Sequence, residues 1–448
     1  MADKARYYLE QSIPELQELE KKKIFTKEQI SAITKKRSDF EHRVNATGTT
    51  PADFARYATY EMNLESLRRK RAARLGIKAR SHAGQRRIFF VLDRATRRFH
   101  GDLSLWMQYI EYARKERASK VLAKVFSSVL KLHPTKPELW IFAARHAVEE
   151  NADMVEARSH MQRGLRFNKG SRHLWLEYAK LEMVFIAKVL ARRRVLGIDG
   201  PIPDVDEGAG DEDENGNIKL PTITGEDMDP SPPRKDQTVD SFALENIDTN
   251  PALNGAIALA IFDSAVKEFP CDFTFVNSFF ELFRSFDSLN CRGKMLKHVV
   301  LHALDTAPTS PDALFLGIEL PIIGVETTDP LFPNRLGTVL SNMSEAVESA
   351  VPRAALYEKF AEYMLRLVKK SAELDPGVRT VILGTLMKYF KQAETEGQAT
   401  AKLYILWAET VLLRKTAEAA LVVVEKGLQA FSGNKALRKA QEGLKAGL

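Results

Sequence analysis

Apolar residues recur along the chain at the three- and four-residue spacing of helices. Alternating runs between Asn-Gly or Asp-Gly turns, the mark of strands, are scarce. The spacing predicts helices almost throughout. Residues 3–20 read as one helix of mixed charged and apolar positions, with Pro14 a kink or early break. IFT at 24–26 is a turn, and Thr26 with Gln29 forms a capping box that opens a second helix through about Val44. Residues 1–46 then form a helical hairpin at the head of the chain. After TGTTP at 47–51, a third helix runs from Ala52 to about Leu75.

From there the pattern repeats. Trp106, Trp140 and Trp175 stand 34 and 35 residues apart, each after a Leu, in LSLWMQY, PELWIFA and RHLWLEY. A second series keeps the same step: IFFVLDRAT ends at Thr96, LAKVFSSVL at Leu130 and ARSHMQRGL at Leu165. Two interleaved signals at one period define a helix–turn–helix unit of about 34 residues. Trp106, Tyr109 and Ala113 share one face of the first helix, and Trp175, Tyr178 and Glu182 repeat that face. The second helix presents Phe126 and Leu130, or Met161 and Leu165, against it. One pair cannot bury all this surface, whereas stacked neighbours can. The expectation is an all-α fold, a superhelical α-solenoid.

Weaker copies continue. ALAIFDSAV (258–266) completes the unit begun at Trp175, and FFELF (279–283) pairs with LKHVVLHAL (296–304). Residues 311–320 pair with 335–350, and 353–368 with 376–393. KLYILWAETVLL (402–413), with Trp407 as its core residue, pairs with ALVVVEKGL (420–428), and a last helix over 434–446 caps the array. The division expected is 1–46 for the hairpin, 47–198 for amino-terminal repeats, 199–250 for an insertion, 251–432 for carboxy-terminal repeats and 433–448 for the cap.

Charge changes the picture. The net charge is +7, yet residues 199–250 hold 15 Asp/Glu against three Lys/Arg, so the rest of the chain carries +19. The acidic stretch is rich in Pro and Gly and reads as a disordered loop, either a tolerated surface insertion or a shield for the basic body. A body this basic attracts polyanions or acidic partners. LRRKRAAR (67–74) gathers Arg68, Arg69, Lys70, Arg71 and Arg74 on barely two turns, and Arg192, Arg193 and Arg194 end the helix after Trp175. Residues 66–98 hold 12 Lys/Arg and one acid, Asp93. These clusters are candidate contacts to RNA phosphates or to an acidic partner, and salt bridges or nuclear import are the other readings. No RNA-recognition motif accompanies them, so RNA contact would be directed at the backbone.

Hydrophobic residues make up 44% of the chain and charged ones 28%, ordinary globular usage. Residues 1–16 hold no apolar core of a signal peptide, and the longest apolar run, AALVVV at 419–424, is far below a membrane span. Two cysteines, Cys271 and Cys291, build no disulfide framework. The expectation is a soluble intracellular protein with no membrane and no small-molecule substrate. Neither GxxxxGK[ST], GxGxxG nor HExxH occurs. His298 and His302 are one helical turn apart but fit no common zinc pattern with the cysteines, and read as a polar helix face or a satisfied pair inside the repeat. No catalytic residue, metal ligand or cofactor is expected, and the chain reads as a non-enzyme.

The Trp-x2-Tyr-x3-Glu face of Trp175, Tyr178 and Glu182, with ARSHMQRGL at 157–165, resembles the half-a-TPR (HAT) repeat. Trp140 departs from it, with Ala143 and Ala147 where Tyr and Glu are usual. PELQELEKKKIFTKEQISAITKKRSDFEHRV (14–44) and DFARYATYEMNLESLRRKRAARLGI (53–77) resemble the start of a HAT-repeat family, sixth of the U-three small nucleolar RNA-associated protein series. The resemblance covers the chain and is strongest over residues 8–185. It implies a non-catalytic scaffold in the nucleolus, within the small-subunit processome. It further implies WD-repeat propeller proteins of the UTP-B subcomplex as partners, and the U-three snoRNA and pre-rRNA particle as direct or indirect associates in 18S rRNA maturation. Two other readings stand beside it: a direct RNA-binding protein, and a HAT-repeat factor of mRNA splicing or 3′-end processing.

Overall fold

The computed structural model describes residues 2–10, 12–77, 82–196, 253–270, 272–370, 374–414 and 416–446. The expected acidic insertion and the Cys271 side chain lie outside them. Every regular element among the described residues is helical, and none is a strand. The fold is all-α, built from helix pairs.

Contacts divide the chain into two compact units, residues 1–147 with 159–168, and residues 148–158 with 169–448. The first holds α1 (Ala2–Glu10), α2 (Ile13–Lys21), α3 (Lys27–Asn45), α4 (Pro51–Arg74), α5 (Ala83–Arg98), α6 (Leu103–Lys115), α7 (Ser119–Leu132) and α8 (Pro137–Glu149). Residues of α9 (Met154–Phe167) are shared between the two. The second unit continues with α10 (Arg172–Leu196), α11 (Ala256–Glu268), α12 (Phe273–Arg284), α13 (Arg292–Thr306), α14 (Pro311–Glu319) and α15 (Phe332–Ser349). It ends with α16 (Arg353–Lys370), α17 (Pro376–Thr395), α18 (Ala401–Arg414), α19 (Ala417–Ala430) and α20 (Lys435–Ala446).

Within each unit most helices pack on the next in sequence, and first helices also touch first helices: α4 on α6, and α10 on α12, α14 on α16, α16 on α18. That double contact lets a two-helix unit hide the apolar face it cannot hide alone. The helix expected over 3–20 is two helices. Pro14 enters in the first turn of α2 and removes the backbone donor that continuity would need, and the Ser12 hydroxyl donates to the Leu9 carbonyl at the break. The Thr26–Gln29 capping box is present in both directions, at 3.3 Å each way.

The tryptophans explain the period. Trp106, Trp140 and Trp175 are each the fourth residue of their helix. Their indole Nε1 groups donate to the carbonyls of His100, Pro134 and Lys169, six residues back, at 2.9, 2.9 and 3.0 Å. Each ring thus fills the core while its N–H closes the turn before the helix. A side chain at Gly164, in the QRGL string of α9, would collide with the Trp140 ring, so the close approach of α8 and α9 needs glycine there. Gly427 in α19 has the same relation to Tyr404, the fourth residue of α18. Tyr404, rather than Trp407, therefore holds the position of the three earlier tryptophans. Trp407 sits three residues further on, stacked on Tyr404 and Phe390, and its buried Nε1 has no hydrogen-bond partner.

One repeat hides in the head. Arg37 of α3 clasps Glu61 of α4 with two hydrogen bonds of 2.8 Å, and Arg158 of α9 clasps Glu182 of α10 through the same atoms at 2.8 Å. Both pairs span 24 residues. Phe54, Tyr57 and Glu61 on α4 have the spacing of Trp175, Tyr178 and Glu182, and Phe54 is again the fourth residue of its helix. The long α4 is thus the first helix of a repeat, with α3 standing before it as α9 stands before α10.

Candidate partner interface

The arginines of 67–74 do not form one patch. Each step along a helix turns by about 100°, so five basic residues in two turns point in different directions. Arg68 is buried and holds Glu65 with two bonds of 2.7 Å. Arg69 bonds Glu65 at 2.9 Å and reaches Glu116, past the end of α6, at 2.7 Å. Arg71 leans over the Phe25 ring, 4.8 Å from its centroid, and bonds Gln29 Oε1 at 2.6 Å and the Ile24 carbonyl at 3.2 Å. Lys70 and Arg74, one turn apart, are exposed on a third face.

The arginines of α5 behave alike. Arg94 donates to both Glu41 oxygens at 3.0 Å and lies over the rings of Tyr8 and Phe90. Arg98 donates to the Val44 and Ala46 carbonyls at 2.7 and 2.9 Å, closing the carboxyl end of α3, where a cation is favoured. Glu65 lies against Gly84 in the first turn of α5, where any side chain would strike the carboxylate.

Charge states follow from these contacts. Burial alone would lower the Arg37 pKa, but the Glu61 carboxylate outweighs it and holds the group above its ordinary value. The hydrogen bond that Arg69 donates to Glu116 outweighs desolvation and pushes its pKa upward. Burial pulls Glu116 upward too, but hydrogen bonds from Arg69 and Gln85 overcome it and its carboxyl sits below the usual value. Arg69 and Glu116 are thus both charged at neutral pH, and their pairing is an internal tie. A cleft of about 430 Å³ between α4 and α6 is lined by the same mixture of signs, including Glu65, Arg69, Lys70, Glu111, Lys115 and Glu116. A polyanion would meet carboxylates there.

A second groove differs. It runs between α3 and α4, encloses about 330 Å³, and is walled by Phe25, Ala32, Ile33, Tyr60, Leu64 and Leu67, with Lys36 and Arg71 at its rim. No carboxylate lines it. Sequence reasoning missed it because α3 reads as a charged helix; the signal was the stripe Tyr60, Leu64, Leu67 at i, i+4, i+7.

Elsewhere, Arg192 is exposed, Arg193 is buried, and the Arg194 side chain lies outside the described residues. Trp106, Tyr109, Phe126, Leu130, Trp140, Met161, Leu165, Trp175, Tyr178 and Trp407 are all buried, so none offers a face for stacking bases. Burial lifts the Tyr109 hydroxyl to about 12. His298 bonds Asp263 at 2.7 Å, and His302 contacts the Thr306 hydroxyl at 3.3 Å. The two imidazoles both lie edge-on to Phe262. Among the described residues no group of three His, Cys, Asp or Glu could hold a metal ion, and no helix is long and apolar enough to cross a membrane.

Residues 9–93, spanning α2 to most of α5, match the family model described as U3 small nucleolar RNA-associated protein 6. The chain is similar to the protein of that name from Schizosaccharomyces pombe, 38% identical over 229 residues, which are 50% of this chain and 47% of that protein. It is similar to the Homo sapiens homolog, 33% identical over 193 residues, 42% of this chain and 32% of that protein. With the Dictyostelium discoideum homolog the likeness is 21% over 449 residues, 97% of this chain and 71% of that protein. The matched stretch thus spans about half of the first relative's length and a third of the second's.

Proposed function

We propose that this chain is a U3 small nucleolar RNA-associated protein, a non-catalytic HAT-repeat scaffold that supports 18S rRNA maturation in a nucleolar pre-ribosomal particle. The name shared by its relatives supports the particle and the compartment. The observation that carries the scaffold reading is the destination of the basic residues. Arg37, Arg94 and Arg98 tie α3 to α4 and α5, Arg68 holds Glu65 within α4 and Arg69 reaches Glu116; these residues lie in or just after the segment matched by the family model, and their ties support a preformed surface for partners. The proposed partners are the WD-repeat propeller proteins of the UTP-B subcomplex, with the U3 snoRNA reached through them, and the residues left over for direct partner or RNA contact are Lys70 and Arg74. The proposed division of labour gives the repeats on both sides of 199–250 the packing role and leaves that acidic segment outside it.

The test is purification of the tagged full chain from cells, with sequencing of its RNA and mass spectrometry of its proteins. Enrichment of U3 snoRNA with propeller proteins, and loss of 18S but not large-subunit rRNA on depletion, is the expected result. Enrichment of spliceosomal or 3′-end factors instead would overturn it.

A further inference from the structure

We propose that the groove between α3 and α4 docks an acidic amphipathic helix of a partner protein. The proposal rests on the scaffold reading and names the chemistry of one of its contacts. Three observations support it. The groove is apolar where it is deep, with Phe25 and Ile33 buried as its floor, while Leu67 on its wall is 41% exposed, a large apolar side chain left facing solvent. The charged residues that line it, Lys36 and Arg71, are both basic. That sign calls for carboxylates on the occupant's flanks. The lining comes from α3, α4 and the turn at Phe25 alone, so the trough between two packed helices is open there. Elsewhere in the fold such a trough holds a third helix, as α18 lies on both α16 and α17. An apolar stripe at i, i+4, i+7 flanked by Glu or Asp fits the trough as a helix fits a groove.

The contacts of Arg71 shape the site. Its bonds to Gln29 and Ile24 and its place over Phe25 fix the guanidinium at one end of the groove. Lys36, over the Tyr60 ring at 5.7 Å, marks the other end of the wall. A helix bound between them is aligned by both charges.

The experiment uses the full chain and a fluorescein-labelled 18-residue helical peptide with Leu at i, i+4, i+7 and i+11 and Glu at the flanking positions. A twin peptide carries Lys for Glu, and a uridine 15-mer RNA represents the other class of ligand. Anisotropy is expected to show saturable binding of the Glu peptide and none of the Lys twin. Leu67→Glu weakens it at least about tenfold, the weight of one lost anchor. Lys36→Glu weakens the Glu peptide and raises affinity for the Lys twin. Both side chains are exposed, and unchanged circular dichroism of the variants confirms that the loss is local. Equal binding of the twins, binding untouched by Leu67→Glu, displacement of the peptide by the RNA, or no binding at all would each overturn the proposal. None of these results bears on U3 snoRNA enrichment in cells, so the scaffold reading stands or falls separately.

Discussion

The helices α3–α6 and the helices α16–α19 share one way of packing and differ in what they pack with. In α3 and α4 ion pairs are inside: across the two helices the side chains of Arg37 and Glu61 are 3% and 2% exposed, and within α4 those of Arg68 and Glu65 are 7% and 6%. Between α16 and α18 the corresponding pair, Lys369 with Glu409, is on the surface, 52% and 41% exposed. The interior there is a continuous apolar cluster from Ile318 to Leu437. A buried pair gains little over an apolar substitute, yet it is costly to break, because the abandoned charge stays buried. The amino-terminal helices are thus specified by who pairs with whom, the carboxy-terminal ones by shape and volume.

The largest expected effect is at Glu61. Glu61→Ala leaves the Arg37 guanidinium buried without its partner and should cost about 3–5 kcal/mol in urea unfolding, whereas Arg37→Met with Glu61→Leu should restore most of it. Phe360→Ala in α16, at a residue 1% exposed, should cost a similar 3–5 kcal/mol through a cavity, with no charge substitution able to rescue it. If the double apolar variant were as unstable as Glu61→Ala, the contrast between the regions would be broken. Next come the indoles. Trp175→Phe removes the N–H that holds the Lys169 carbonyl, while Trp407→Phe removes a buried N–H with no partner, so the first should cost about 1 kcal/mol more than the second. Glu409→Gln, at an exposed pair, should cost under about 1 kcal/mol.

Acid sharpens the comparison in opposite senses. The Glu116 carboxyl is held below its ordinary 4.5, so its tie to Arg69 is fully present above that value and is lost as pH falls through the lower folded value. Burial raises the Glu319 carboxyl above 4.5 in spite of Arg284 at 2.7 Å. Its charged form therefore opposes folding, and its protonation as pH falls through the raised value favours the folded state. Hydrogen exchange from pH 7 to 4 should show the amides of α4 and α6 losing protection at the acid end. Glu319→Gln should flatten the opposite trend around α14.

Much of the fold was legible because the period was carried by rare residues. Three tryptophans at one step, each with its turn six residues earlier, fix pairs of helices within a few residues of their ends. The helices expected over 353–368 and 376–393 are Arg353–Lys370 and Pro376–Thr395. The repeat at Phe54, Tyr57 and Glu61 carried the same spacing but hid behind a Phe in place of Trp. Trp407, a core residue, stands three positions beyond the place of the earlier tryptophans, which Tyr404 holds. The destinations of the arginines were not legible. A cluster such as 67–74 looks like one charged face in sequence, and its partners, Glu116 for Arg69 and Gln29 for Arg71, lie 47 and 42 residues away with no periodicity to point at them.

The account turns on the arginines of the head being internal ties, and one paired measurement addresses that directly: thermal melting and RNA filter binding, across a salt titration, of the full chain and its Arg68→Gln variant. We expect the melting transition to fall while RNA affinity and its salt slope stay as they are in the parent chain. A variant that melts with the parent but loses RNA affinity would show that Arg68 meets phosphate, and would contradict the account.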